Sequence, residues 1–335
     1  MISEDNIQQF KTLIENAENI AVIPHRNPDG DAIGSTLALW HILRRMGKNA
    51  QVISPNEFPS FLHWLPGSEE IIAFESYPDD VKRILDRCDL AFTLDFNALH
   101  RAGDQMQLYL EQLQAKLIMI DHHQMPDDYA AVTFSDVNYG STCELLYDIL
   151  VTSGFNQYLD ADSATCIYTG IVTDSGSFKF TKTTGHTHRV VADLIDYGID
   201  NPQIHINLFN NNSYNQLQLL GRALNQLKIT GNNKVAYTFL SQNDLNEFHY
   251  QKGDTEGIVN YGLSIEGIEL AVIFIEQKQE GIIKISFRSQ GDIDVNQFAR
   301  THFNGGGHIN AAGGKSFHSL QQTIEDFETI INSEF

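Results

Sequence analysis

Histidine and aspartate side chains are concentrated in one short segment near the start of the chain. His25, Asp29 and Asp31 fall between an apolar run at 20–23 and a helical pattern at 33–46. Carboxylates this close oppose one another's ionisation unless a cation lies among them. The segment therefore predicts a divalent metal site at a turn between a strand and a helix.

Further aspartates and histidines follow three later predicted elements, so the site can draw on four segments of the chain. Mixed carboxylate and imidazole ligands suit hard-to-borderline divalent ions, notably Mn²⁺, with Mg²⁺ or Co²⁺ as alternatives. The donors outnumber the needs of one ion, which favours two ions that share a bridging carboxylate at roughly 3.5–4 Å separation. Such a pair binds a phosphoryl oxygen and activates a water molecule. The candidate ligands are His25, Asp29, Asp31, Asp95, His122, His123 and Asp174.

Each of these residues also has a purely structural interpretation. Asp29 and Asp31 could cap the helix that follows them, in a segment with good turn chemistry. His122 and His123 could be core histidines whose ring nitrogens are satisfied by backbone carbonyls. A metal site explains all of these acids and histidines at the ends of successive elements together, and we favour it for that reason.

A second group of candidate residues lies near the C-terminus and would suit an anion. Gly305, Gly306 and Gly307 would let backbone N–H groups approach a phosphate closely, and His308 adds a donor. A flexible turn is the competing interpretation of the glycines. Arg288, at the end of a predicted strand, could clamp a phosphate or be a solvated surface charge, and the residue type leaves this open.

The elements around the first group predict a parallel sheet. Continuous apolar runs separated by helical patterns are typical of strands that are buried on both faces by helices. Open α/β sheets bind their ligands just past the carboxyl ends of such strands, which is where the polar residues stand. The predicted strands are at 19–23, 51–53, 90–94 and 117–120.

The chain is long enough for two domains. We expect an α/β catalytic domain with a parallel sheet and helices on both faces over 1–190, a helical linker over 191–215, and a smaller α/β domain over 216–335. In the second domain a strand near 234–240 and a hairpin within 268–288 precede the glycine-rich segment.

The composition is that of a globular protein with a strongly acidic surface. Hydrophobic residues make up 42% of the 335 residues, and 43 acidic against 22 basic residues give a net charge of −21. This balance argues against binding of long nucleic acid, because such binding depends on Lys and Arg neutralising many phosphates. It leaves room for a small phosphorylated substrate held by metal ions and a few cations.

Several other classes of protein are disfavoured. The three cysteines show no C-x-x-C spacing, which argues against a zinc cluster or a disulfide framework. The polar N-terminus lacks the features of a signal peptide, and no apolar run approaches the roughly 20 residues of a membrane span. We expect a cytoplasmic protein with no membrane partner. The oligomeric state stays open, with a homodimer as one option.

In order and spacing, the first group of residues resembles the DHH phosphoesterase superfamily. The glycine-rich segment and the strand that carries Arg288 resemble its DHHA1 domain, so the resemblance extends over nearly the whole chain. The size and arrangement are most similar to the nanoRNase/pAp phosphatase branch. The matching motifs are His25-x-x-Pro28-Asp29-x-Asp31, Asp95, Asp121-His122-His123, Asp174, Ser286-Phe287-Arg288-Ser289 and Gly305-Gly306-Gly307-His308.

The resemblance implies a role for each residue. It implies that Asp95 bridges two metal ions and takes part in catalysis, and that His123 faces the scissile phosphate. The first ion would be held by His25, Asp29 and Asp95, and the second by Asp31, Asp95, His122 and Asp174. The implied substrate-binding residues are Arg288, Gly306, Gly307 and His308, together with Arg101, which matches a family arginine near the substrate.

The resulting hypothesis is a two-metal phosphohydrolase, acting as phosphodiesterase and phosphatase. The resemblance implies that it degrades short oligoribonucleotides to mononucleotides and dephosphorylates 3′-phosphoadenosine 5′-phosphate to AMP. A cyclic- or linear-dinucleotide phosphodiesterase is the alternative within enzymes. A nucleotide-sensing or RNA-binding module with a vestigial site is the alternative from another class. The sequence leaves open which end of an oligonucleotide is attacked and which substrate matters in the cell.

Overall fold

The structure, a computed structural model, describes residues 2–251 and 253–334, which form two compact units. One unit reaches to Asn211 and the other begins at Asn212. The range 191–215 contains helical segments of both units. The sequence-based domain bounds and the separate linker therefore stay a prediction.

The first unit is built on a parallel six-stranded sheet with the order β3-β2-β1-β4-β5-β6. The chain winds outward from β1 in one direction and from β4 in the other, and open α/β sheets bind ligands at the carboxyl edge of such a switch point. The strands are β1 (Asn19–Pro24), β2 (Asn49–Ser54), β3 (Ile72–Ala73), β4 (Leu90–Leu94), β5 (Lys116–Asp121) and β6 (Val132–Ser135).

Helices cover both faces of this sheet, which confirms the predicted fold class. In β1, Ile20 and Val22 pack into the larger hydrophobic core, whereas Ala21 and Ile23 pack into a second core on the other face. This alternation follows from the two-residue period of a strand. The helices are α1 (Glu4–Asn16), α2 (Gly30–Arg45), α3 (Pro78–Leu85), α4 (Asp104–Glu111), α5 (Thr142–Ser153), α6 (Ala161–Asp174), α7 (Gly185–Asp196) and α8 (Asn201–Phe209).

The second unit contains a mixed six-stranded sheet with the order β11-β12-β10-β9-β8-β7. β8 and β9 are parallel, and the other neighbours are antiparallel. The strands are β7 (Lys228–Thr230), β8 (Val235–Leu240), β9 (Leu270–Gln277), β10 (Ile282–Ser289), β11 (Gly306–His308) and β12 (Ala311–Ser316).

The two faces of this second sheet have separate cores. One core packs against α12 and α13, and the other packs against α9, α10 and α11. These helices are α9 (Tyr214–Asn225), α10 (Gln242–Glu247), α11 (Ile258–Leu263), α12 (Val295–His302) and α13 (Leu320–Glu334). Across the described ranges of both units, every helix is too short or too polar to cross a membrane.

The glycine-rich segment is an extended strand, so its interpretation as a flexible turn is wrong. Its residues 306–308 form β11 and pair with β12. A Cβ on Gly305 would lie 2.0 Å from the carbonyl oxygen of Gly313, and one on Gly307, at φ +155°, would lie 2.4 Å from that of Ala311. Close packing of the two strands therefore requires glycine at both positions.

Candidate metal centre and active site

Six of the seven candidate ligands form two groups at the carboxyl edge of the first sheet. His25 follows β1, Asp95 follows β4 and His122 follows β5, while Asp31 lies in the first turn of α2 and Asp174 ends α6. Within each group the ligand atoms lie within 4.8 Å of one another. The groups are His25 with Asp29 and Asp95, and Asp31 with His122 and Asp174.

Asp95 belongs to the first group and also faces a histidine of the second. Its Oδ2 is 3.4 Å from His25 Nε2, and its Oδ1 is 3.5 Å from His122 Nε2. The two oxygens of one carboxylate thus face two different histidines, which is the geometry needed to bridge two ions. Asp95 also has a φ of +66°. Left-handed backbone is uncommon outside glycine, although Asp adopts it more readily than most residues, and such backbone is concentrated at functional sites.

Asp29 caps a helix and also lies beside His25. Its Oδ1 accepts hydrogen bonds from the N–H groups of Asp31 and Ala32, each at 3.1 Å, so it caps α2. Its Oδ2 is 4.0 Å from His25 Nε2, and the side chain is 55% exposed. Asp29 therefore lies at the start of the helix, on the solvent-exposed side of the cluster.

Backbone carbonyls orient two of the histidines. His25 Nδ1 is 2.9 Å from the carbonyl oxygen of Arg26, and His122 Nδ1 is 3.3 Å from that of Tyr139. A carbonyl can only accept, so Nδ1 carries the proton and Nε2 presents its lone pair to the carboxylates. Metal-binding histidines are typically held in this way. The interpretation as satisfied core histidines explains the Nδ1 contacts but not the direction of Nε2.

His123 is held by the aspartate that precedes the histidine pair. Its Nδ1 is 2.7 Å from Asp121 Oδ1, and its backbone N–H donates to Asp121 Oδ2 at 3.0 Å. Asp121 is fully buried as the last residue of β5. His123 Nδ1 is also 3.7 Å from Asp95 Oδ1. The side chain therefore has a fixed position beside the two groups of ligands.

The carboxylates of the cluster carry more negative charge than the surrounding protein compensates. Burial and the neighbouring Asp174 raise the pKa of Asp31 to about 7. Burial and Asp31 raise the pKa of Asp95 well above its usual range. A divalent cation would relieve the repulsion in both cases. The donor set, with carboxylate oxygens and imidazole nitrogens at close range, thus fits divalent metal ions.

The start of α5 holds two of the carboxylates in place. The backbone N–H groups of Thr142 and Cys143 donate to Asp31 at 2.6 and 2.9 Å. The Thr142 hydroxyl donates to Asp95 Oδ1 at 2.8 Å. Helix N-termini favour anions because their first N–H groups lack partners within the helix. Sequence reasoning missed these contacts, although Ser141 followed by Glu144 is a recognisable N-cap signal.

Glycines allow the helices of the site to approach closely. A Cβ on Gly30 of α2 would lie 2.4 Å from Thr173 Oγ1, next to Asp174 in α6. A Cβ on Gly170 of α6 would lie 2.2 Å from Cys143 Sγ and 2.8 Å from Asp31 Oδ1. Side chains at these positions would push α2, α5 and α6 apart. The close approach is what brings Asp31 and Asp174 into one group.

Arg101 lies in the short 3₁₀ helix Leu99–Ala102 of the first unit. Its carbonyl oxygen accepts from the backbone N–H of Arg26 at 2.8 Å, next to His25. Burial lowers the pKa of both His25 and His123, and the Arg101 guanidinium lowers it further. Arg101 therefore lies within electrostatic range of the cluster, and its contact with a substrate stays a prediction.

The remaining predicted residues lie in the second unit. Arg288 of β10 and His308 of β11 both pair with Ala311 of β12, so one strand separates them. The N–H of Gly307 donates to Asn296 Oδ1 at 2.9 Å, so this group is already engaged within the protein. This contact does not support the expectation that the Gly307 N–H binds an anion. The substrate-binding roles assigned to β10 and β11 stay predictions.

Two family patterns match the chain. Residues 19–171 match the DHH family, N-terminal domain, and residues 232–334 match the DHHA1 domain. The first match contains six of the seven candidate ligands, and the second contains the glycine-rich segment and Arg288. Asp174 lies just beyond the first match.

Two curated relatives and one solved structure are similar over most of the chain. The bifunctional oligoribonuclease and PAP phosphatase NrnA of Thermus thermophilus is 30% identical over 295 residues, which cover 88% of this chain and 83% of the relative. The protein of the same name from Bacillus subtilis is 28% identical over 319 residues, with coverage of 93% and 95%. The crystal structure of an exopolyphosphatase-related protein from Bacteroides fragilis has a TM-score of 0.96 at 35% identity, with coverage of 99% and 97%.

Proposed function

This chain belongs to the DHH family of phosphoesterases, and from that premise we propose that it hydrolyses short oligoribonucleotides to mononucleotides and removes a phosphate from 3′-phosphoadenosine 5′-phosphate. Both activities break a phosphate ester, the first as a phosphodiesterase and the second as a phosphatase. The names of the two relatives from Thermus thermophilus and Bacillus subtilis support these substrates. Their similarity covers more than four fifths of each chain.

We further propose that the cluster holds two divalent metal ions, with Mn²⁺ as the first candidate. The donors are oxygens and imidazole nitrogens without a thiolate, which suits Mn²⁺ or Mg²⁺ better than a soft ion. When bound, such ions supply a site for a phosphoryl oxygen and lower the pKa of a water molecule. The first ion would be held by His25, Asp29 and Asp95, and the second by Asp31, Asp95, His122 and Asp174.

The chain's own contribution to the chemistry centres on His123. The buried carboxylate of Asp121 fixes its ring through Nδ1 at 2.7 Å. In the proposal, the opposite ring nitrogen faces the scissile phosphate, accepts the proton released by the attacking water and donates it to the leaving oxygen. Hydrolysis forms a bond between a water oxygen and phosphorus and breaks the phosphorus–oxygen ester bond.

The observation that carries the proposal is the position of Asp95. A single exposed histidine or a capping aspartate would be ordinary, but a buried carboxylate that faces two oriented histidines with its two oxygens has no structural purpose of its own. Without a cation it costs stability, because burial and four other aspartates disfavour its charge. Two-metal hydrolysis explains why such an arrangement is present.

The test is initial rate on a panel of substrates in the presence of Mn²⁺. The panel contains 3′-phosphoadenosine 5′-phosphate, diribonucleotides, five-mers, cyclic dinucleotides and inorganic polyphosphate. We expect release of phosphate from the first compound and of mononucleotides from the second and third. The readout is chromatography of nucleotides together with a phosphate assay.

Each other result contradicts the proposal in a different way. Turnover confined to cyclic dinucleotides would make the protein a cyclic-dinucleotide phosphodiesterase. Turnover confined to polyphosphate would assign the activity suggested by the name of the Bacteroides fragilis protein. Binding without any turnover would identify a sensing module with a vestigial site.

A further inference from the structure

Two lysines lie directly opposite each other on the second sheet. Lys284 of β10 pairs with Lys315 of β12 in antiparallel register, and both side chains are exposed. Like charges at directly opposite positions repel each other and destabilise a sheet. Among the described residues, neither lysine forms an ion pair with a carboxylate. The pair is therefore a concentrated positive charge in a chain whose net charge is −21.

This lysine pair lies on the same face of the sheet as Arg288. The residues 283, 285 and 287 of β10 are buried in the core that packs against α12 and α13. Because side chains alternate along a strand, Lys284 and Arg288 point to the opposite face. Four residues of strand separate them by about 14 Å. A ligand that reaches both positions must be longer than one phosphate group.

Next to the lysine pair, β12 contains a glycine, and an exposed aromatic ring follows the strand. Gly313 lies between Ala311 and Lys315 on the same face of β12. A Cβ added to Gly313 would contact only the carbonyl oxygen of Ile285, at 3.8 Å. Packing therefore does not require a glycine at this exposed site. Phe317 is 65% exposed just past β12, and Lys315 Nζ is 5.7 Å from its ring centroid.

We propose that Lys284, Lys315 and Phe317 form a binding surface for single-stranded oligoribonucleotides. The lysines would bind backbone phosphates and Phe317 would stack on a base, since basic grooves and exposed aromatic rings are how proteins bind single strands without sequence preference. The inference rests on the proposed function and adds to it a strand-binding surface on the second unit. Charge complementarity and the stacking ring together favour RNA over an acidic peptide, which offers no base.

The first experiment measures binding without metal or turnover. Fluorescence anisotropy of a labelled five-mer RNA in EDTA compares the wild type with the double variant Lys284→Gln/Lys315→Gln. We expect the variant to bind the five-mer about five- to tenfold more weakly. We also expect the slope of log Kd against log salt concentration to fall by about 1 to 2, since each phosphate-binding lysine contributes about 1.

The matched control is Lys228→Gln/Lys234→Gln. These two exposed lysines belong to the same unit but lie on β7 and in the turn before β8, at the other edge of the sheet. The control removes the same charge, so a general electrostatic effect would weaken binding equally in both double variants. We expect the control to bind the five-mer as the wild type does.

The second experiment separates stacking from charge. Phe317→Ala should weaken five-mer binding about fivefold or more, and Phe317→Tyr should restore it because the ring is kept. Equal affinity of the two Phe317 variants would exclude a stacking role. Because all of these side chains are exposed, thermal melting should show unchanged folding in every variant.

The outcomes distinguish this inference from the proposed function. If the wild type hydrolyses diribonucleotides and the lysine variant keeps the wild-type affinity for the five-mer, the proposed binding surface is wrong and the proposed function stands. If the wild type turns over no RNA of any length, the proposed function fails. Binding of a hexaglutamate peptide as tight as that of the five-mer would overturn the assignment to RNA.

Discussion

The carboxylate of Asp95 faces one histidine from each of the two groups of candidate ligands. Its oxygens lie 3.4 Å from His25 and 3.5 Å from His122, and the side chain is almost completely buried. Burial and the neighbouring aspartates raise its pKa well above the usual range. A carboxyl whose folded-state pKa is raised costs stability once the pH exceeds its ordinary pKa, because the unfolded chain ionises more easily.

Asp95→Asn should therefore separate function from stability. We expect turnover to fall by at least about 100-fold together with the bound metal, since the shared ligand is lost. In EDTA at neutral pH, the variant should melt at a higher temperature than metal-free wild type, because a buried charge has been removed. Elemental analysis and thermal melting measure the two effects. Asp162→Asn, at an exposed position of α6, is the matched control. A lower melting temperature in EDTA would refute this account of Asp95.

Thr142 is predicted to position Asp95 through its hydroxyl. Thr142→Val keeps the shape of the side chain but removes the 2.8 Å hydrogen bond to Asp95 Oδ1. We expect a 10- to 100-fold loss of metal affinity, which is the usual effect of removing a hydrogen bond to a ligand. Thr142→Ser keeps the hydroxyl and should recover most of the affinity. Calorimetric titration with Mn²⁺ gives the readout, and equal losses in the two variants would show that the methyl group matters instead.

At the scale of residues, the residue type determines which members of the site can be recognised from sequence. His25, Asp29 and Asp31 were recognisable because acids and histidines crowded in a turn have few structural explanations. Thr142 was not recognisable, because a threonine at the start of a helix looks the same whether or not its hydroxyl reaches a carboxylate 47 positions away. Its role depends on a contact between distant segments, which residue type does not encode.

At the scale of elements, close packing of helices brings the residues of the site together. The added Cβ at Gly170 would lie 2.2 Å from Cys143 Sγ and 2.8 Å from Asp31 Oδ1. Both neighbours are buried, and the N–H of Cys143 holds the Asp31 carboxylate at 2.9 Å. A side chain at Gly170 must therefore move either the start of α5 or the ligand itself.

Gly170→Ala should lower both stability and metal affinity. Overpacking of this kind typically costs about 1–3 kcal/mol of unfolding free energy, and displacement of Asp31 should weaken metal binding as well. Gly221→Ala is the matched control, because a Cβ at this position in α9 would meet no atom within 4 Å. That change should stabilise the protein by about 0.4–1 kcal/mol. Chemical denaturation and metal titration provide the readouts. Unchanged stability of Gly170→Ala would mean that the helices separate at little cost.

Elements were predictable where their own residues carried the pattern. The apolar runs of β1, β4 and β5 and the helical spacing of α2 suffice to predict these elements, because burial on both faces imposes them locally. β11 was not predictable, since glycine has low strand propensity and its strand forms only because β12 pairs with it. The short β3, with two residues, likewise depends on its pairing with β2.

At the scale of the whole molecule, charge limits what can be bound. The net charge of −21 means that most of the surface repels a polyanion, so attraction is confined to a few places. In the second unit, Arg288 and the pair formed by Lys284 and Lys315 share one face of the sheet. With so few cations, the second unit can contact only a limited number of substrate phosphates.

Turnover should consequently depend on substrate length in two stages. Between two and about five nucleotides, affinity should rise, because a longer strand offers more phosphates and bases to the lysine pair and Phe317. Beyond about ten nucleotides, each added phosphate meets an acidic surface, so kcat/KM per enzyme molecule should fall. Enzymes that act on long strands instead have basic grooves that follow many phosphates. The slope of log Kd against log salt concentration should likewise stop increasing near five nucleotides, because no further counterions are released.

Initial rates at subsaturating concentrations of 2-, 5-, 10- and 20-mers, at two salt concentrations, measure this dependence. A kcat/KM that keeps rising up to the 20-mer would require a strand-binding surface other than the face that carries Arg288 and the lysine pair.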